Sequence, residues 1–132
     1  MSIESQHWLN YARENLAVCR LCLSSGLWNP CLQNGQQTVE KSLKGLRSRS
    51  GLGEKRIHDI RILRRELAAS GMPVELSEDE AELLDSIFMD FKYPGHGVLP
   101  DGPPDEATCR QCLAIAERVF AQACRECGEP LV

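Results

Sequence analysis

The chain has 132 residues, 42% of them hydrophobic and 26% charged, enough for one self-supporting core and unlike a disordered or fibrous protein. Its formal net charge of −4 makes no whole-chain case for nucleic-acid binding, and seven cysteines cannot all pair within one chain. No run approaches the roughly 18 apolar residues that span a bilayer, and "MSIESQHWLNYARENL" lacks the basic and apolar regions of a secretory leader. A cytoplasmic protein with reduced thiols and no membrane contact is therefore expected.

Residues 4–25 carry Leu9, Ala12, Leu16, Cys19 and Leu23 at steps of three and four, the stripe of an amphipathic helix that Gly26 ends. A second helix is predicted to open with Asn29 as N-cap and Pro30 at the first helical position, burying Leu32, Val39, Leu43 and Leu46. "SRSGLGEK" then reads as an exposed loop. A third, shorter helix runs from about Ile57 to Ala69, with Ile60, Leu63 and Leu67 on its apolar face. Ser77 and Glu80 form an S-x-x-E capping box for a fourth, whose stripe is Ala81, Leu84, Phe88 and Phe91. "KYPGHGVLPDGPP" is too broken for helix or strand. The last helix begins near Asp105 and runs to about Arg125, burying Leu113, Ala116, Phe120 and Ala123. No window alternates with period two, so the fold class is all-α: one domain over residues 1–132, an up-and-down bundle of four long helices and one shorter.

Charge is unevenly placed along this pattern. Nine basic residues between 41 and 65 meet only Glu54 and Asp59, whereas ten acids between 75 and 106 meet only Lys92. Two mutually attracted helix faces account for this, and so would a basic surface for a phosphate-bearing or acidic partner.

One stretch of the second helix, "QQTVEKSLKGL" at residues 36–46, resembles the HEPN domain family pattern Q-Q-x-x-E-K-x-L-K through Gln36, Gln37, Glu40, Lys41, Leu43 and Lys44. Three further pieces follow in family order: a first helix of the type "WLNYARENL", "HDI" at His58–Ile60, and "FKYPG" after the fourth helix, where the family carries Arg-Tyr-Pro. The resemblance implies a small helical bundle, often a homodimer, engaged in nucleotide chemistry. It implies either a nucleotide- or partner-binding module beside a minimal nucleotidyltransferase in a toxin–antitoxin-like pair, or a metal-independent ribonuclease. The family's ribonuclease signature, Arg followed after four to six residues by His, is missing: the positions before His96 hold Met89, Asp90 and Phe91, and those before His58 hold Gly51, Leu52 and Gly53. No catalytic residue is assigned, and the ribonuclease reading would require a non-standard site.

A phosphate needs fixed positive charge, which Lys41 and Lys44, and Lys92 with Tyr93 and the nearby loop residue His96, would supply. The competing reading makes Gln36, Glu40 and Lys44 a polar ladder at helical spacing that stabilises the bundle or its dimer. His58 is an acid–base candidate by its intrinsic pKa, or a brace to a neighbouring loop, with Asp59 favouring the helix dipole. No cofactor is required, although a nucleotide would be a natural ligand. In a strictly alternating bundle, Cys19, Cys22, Cys31, Cys124 and Cys127 reach one pole, opposite "CRQC". Cys19, Cys22, Cys124 and Cys127 would then supply the four thiolates of a zinc staple. The alternative is that these thiols pack as small hydrophobes, and zinc is not expected. The dimer surface is sought on the polar side of the second helix or beside the fifth.

Overall fold

The structure, a computed structural model, describes residues 2–53, 56–92 and 103–132, with the side chains of 90–92 left aside. Five helices build it: α1 (Ile3–Ser24), α2 (Trp28–Arg49), α3 (Ile60–Ala69), α4 (Glu78–Lys92) and α5 (Glu106–Cys127), with no strand among the described residues. This is the all-α bundle of four long helices and one shorter that the apolar stripes predict. None of the described helices is long and apolar enough to cross a membrane.

Helix starts fall where the sequence places them, with two exceptions. In the capping box of α4, Glu80 N–H donates to Ser77 Oγ at 3.1 Å while Ser77 N–H donates to Glu80 Oε1 at 2.9 Å. Asp105 caps α5 by accepting from Thr108 N–H at 2.8 Å. Asn29, however, is not the cap of α2. The helix starts earlier, at Trp28, with Leu27 as a cap without a side-chain bond, its carbonyl taking Cys31 N–H at 3.1 Å. Pro30 is thereby the third helical residue, still within the first turn, where a missing N–H forfeits nothing. The second exception is α3, which begins three residues after Ile57 because Asp59 is its cap, accepting from Ile62 N–H at 3.1 Å.

Gly26 has φ 71° and Gly51 φ 74°, the left-handed conformation in which a helix can close on its own last carbonyls. Leu27 N–H accordingly donates to Cys22 O, and Leu52 N–H to Arg47 O.

The core is one cluster centred on α2, which is covered on nearly every side. Gln36, Thr38, Glu40, Ser42, Lys44 and Arg47 are buried beside Val39, Leu43 and Leu46. Three stripe positions differ from expectation: Leu23, Leu113 and Phe88 are only partly buried. On α4 the buried place is taken by Ile87, while Phe88 is half-buried and the Phe91 side chain lies outside the described residues.

Direction decides which residues meet. α1 runs antiparallel to α2, with Ser5 Oγ donating to Gly45 O at 3.3 Å and Cys19 Sγ 3.7 Å from Cys31 Sγ at the other end. α5 runs the same way as α2: Cys109 Sγ reaches Trp28 O at 3.5 Å, Cys112 Sγ reaches Leu32 O and Cys127 Sγ reaches Gly45 O, both at 3.9 Å. α3 also ascends with α2, since its start lies at Glu40 and its end at Arg47. The segment between α2 and α3 therefore returns the chain along the bundle before helix resumes.

That return corrects the expected cysteine poles. Cys19, Cys22 and Cys31 stand with Cys109 and Cys112, while Cys124 and Cys127 lie at the opposite end, roughly 22 Å further along α5. Cys19, Cys22, Cys124 and Cys127 do not converge, and among the described residues no group of three or more His, Cys, Asp or Glu side chains is arranged to hold a metal ion. All seven thiols are free and buried. Burial pushes Cys109 up to about 12 and Cys127 up to about 11, with neighbouring thiols and carboxylates adding to the effect, so both stay protonated and pack as hydrophobes.

Candidate functional site

The family-like stretch on α2 assembles a buried polar network. Gln36 and Glu40 are 1% and 3% exposed, so each needs partners inside the protein. Gln36 Nε2 donates to Glu40 Oε1 at 3.3 Å, and Lys44 Nζ donates to Glu40 Oε2 at 3.1 Å. The polar ladder anticipated at i, i+4 spacing is thus formed. Its closing member arrives from the start of α3, where His58 Nδ1 lies 2.9 Å from the same Glu40 Oε2. The imidazole braces α2 rather than a neighbouring loop, and its ring stacks on Phe88 of α4 with centroids 5.0 Å apart. His58 is the member that faces water, its side chain 51% exposed.

The candidate phosphate ligands are not presented together. Lys44 Nζ is committed to Glu40 and lies 5.2 Å from the Trp8 ring centroid. Lys41 points to the other side of α2, donating to Asn15 Oδ1 at 2.8 Å and lying 5.7 Å from the Tyr11 ring centroid. Burial lowers the Lys41 ammonium from its usual range, and Lys44 pushes in the same direction against the carboxylate of Glu40. Tyr93, His96 and the Lys92 side chain lie outside the described residues. Phe88 and Arg47 were not singled out from sequence. Phe88 carried only a core signal, and Arg47 was one charge among nine in a basic block.

Three members of that basic block, Arg61, Arg64 and Arg65, are matched to the acidic one. Glu78 accepts from Arg61 Nε at 3.3 Å, from Arg64 Nη1 at 2.8 Å and from Arg65. Glu80 accepts from Arg118 at 2.6 Å. The attraction between helix faces explains these charges without a ligand, although such exposed pairs add little stability each.

The start of α3 holds two carboxylates. Asp59 caps it, and Asp85 of α4 accepts from Ile60 N–H at 2.8 Å and Arg61 N–H at 3.3 Å. Burial raises Asp85 to about 6, and Asp59 beside it adds to the shift against the opposing pull of the two N–H groups. Because the folded pKa lies above the ordinary carboxyl value, the folded state binds this proton more tightly. The associated stability is complete below about pH 4 and is lost as pH rises through about 6. Thermal melts should therefore show Asp85→Asn gaining on the parent protein between about pH 4 and pH 7. A difference constant over that window would refute the account.

Comparison with known proteins gives a consistent result. A family profile for the HEPN domain matches residues 5–127. The crystal structure of an archaeal HEPN homologue superposes with a TM-score of 0.62 at 26% sequence identity, covering 93% of this chain and 96% of that one. No curated protein matches.

Proposed function

The chain belongs to the HEPN family, and from that premise we propose that it is a nucleotide-binding module that works as a homodimer beside a minimal nucleotidyltransferase, in a two-component, toxin–antitoxin-like arrangement. The observation that carries binding over catalysis is the buried network on α2. Glu40 and Lys44 neutralise each other out of water, Lys44 lying over Trp8 of α1 and Glu40 holding His58 at the entry to α3. The half-exposed His58–Phe88 ring pair and Lys41, beside its bond to Asn15, retain access to solvent and can be approached by a ligand.

Much of the polar side of α2 is engaged within the protomer, which directs the search for the dimer surface elsewhere. The outer face of α1 offers a surface instead, where Ile3, Tyr11, Val18 and Leu21 fall on one side of the helix and are 70%, 59%, 39% and 67% exposed. Native mass spectrometry of freshly purified protein should show a dimer carrying a nucleotide-sized adduct, and Tyr11→Glu with Leu21→Glu should yield monomers. A monomer without adduct that takes up no added nucleotide would overturn the proposal.

One observation favours ribonuclease as a second reading. Glu40 engages His58 at Nδ1, which orients the ring and leaves Nε2 as the nitrogen for proton transfer, as in a carboxylate–histidine dyad. RNA cleavage that persists in chelator and disappears in His58→Ala would replace the binding module with this enzyme.

A further inference from the structure

A second feature lies where α2 and α3 end side by side, roughly 10 Å along α2 from Glu40. Arg47, Leu52, Glu66, Ala69 and Ser70 line an open depression of about 380 Å³, within the size range of small-molecule sites. Arg47 is only 6% exposed, yet its guanidinium is incompletely satisfied. Nη1 donates to Glu66 Oε1 at 2.5 Å and Nη2 reaches Leu52 O only at 3.5 Å. Nε is buried with no hydrogen-bond partner. A buried guanidinium that is incompletely met is costly, so an acceptor seated in the depression against its weakly bonded Nη2 edge gains more than it would at the surface.

The surroundings select the kind of acceptor. Glu66 already balances the Arg47 charge, and the C-terminal ends of two helices, at Arg49 and Ala69, add negative potential. An anion is disfavoured in this place. A neutral planar group is favoured, with an oxygen for Arg47 and a ring face against Leu52 and Ala69. We infer that this depression is a subsite for a nucleobase bearing a ring carbonyl, such as guanine or uracil, with Arg47 donating to the carbonyl oxygen. The inference rests on the nucleotide-binding reading above and assigns the base end of that ligand.

The test uses neutral nucleosides, which remove the phosphates from the measurement, with the corresponding triphosphates in parallel. Guanosine or uridine should bind the intact protein, with adenosine about tenfold or more weaker because it has no ring carbonyl. Ala69→Trp, at an exposed position, should fill the depression and abolish nucleoside binding with helicity unchanged. Arg47→Lys should remove the preference over adenosine. Triphosphate binding that is unaltered by Ala69→Trp, or equal affinity for adenosine and guanosine, overturns this inference and leaves the nucleotide-binding reading standing. Failure of every nucleoside and triphosphate to bind overturns both.

Discussion

Glu40→Ala is expected to destabilise the protein by about 3–5 kcal/mol, the usual cost of removing one partner from a buried ion pair. The Lys44 side chain is only 10% exposed, so the ammonium cannot recover in hydration what it loses in charge pairing. His58 and Gln36 would lose a partner in the same step. Domains of this size are stable by about 5–15 kcal/mol, so the substitution removes a large share of the total. Replacing both members, as in Glu40→Leu with Lys44→Met, should recover most of the loss, because no charge then remains buried. Urea unfolding of the parent, single and double variants measures this directly. A cost below about 1 kcal/mol for Glu40→Ala would mean that the pair is open to water.

Gly35→Ala should also destabilise the protein, by up to about 2 kcal/mol net, for a steric rather than an electrostatic reason. A Cβ built on Gly35 would stand 2.5 Å from Cys112 Sγ and 3.4 Å from Cys19 Sγ, and both cysteines are fully buried. Overpacking of this kind costs about 1–3 kcal/mol and outweighs the roughly 1 kcal/mol that alanine gains over glycine within a helix. Removing the obstructing sulfur should reverse the sign, since the Cys112 Cβ lies at an ordinary 3.8 Å. The Gly35→Ala substitution is then expected to be neutral or stabilising in a Cys112→Ala background, a coupling of about 1 kcal/mol or more. Strict additivity of the two changes would show that α2 and α5 do not approach so closely at this point.

These two sites differ in how legible they were. The ladder of Gln36, Glu40 and Lys44 could be read from spacing alone, because i, i+4 neighbours meet on any helix. That His58 would close it could not, since the contact joins residues of two helices across a non-helical connection. The Arg47 depression had no sequence signal: its walls come from the last turns of α2 and α3 and the residues just after them.

What the sequence by itself determined was local: five helices from their apolar periods, the α4 capping box, the glycine stop after α1 and the loop after α2. The family pattern on α2 belongs with these, being a string of neighbouring positions on one helix. Each depends on interactions within a few residues, where spacing and chemistry suffice. Only the tertiary structure decided which thiols meet, which charges are buried and where a cavity forms. All three turn on the direction in which α3 resumes after α2. Strict alternation would have gathered Cys19 with Cys124, but α5 ascends beside α2 and brings Cys112 to Gly35 instead. That choice follows from packing apolar faces around a largely enclosed α2, a long-range fit to which no short stretch of the chain corresponds.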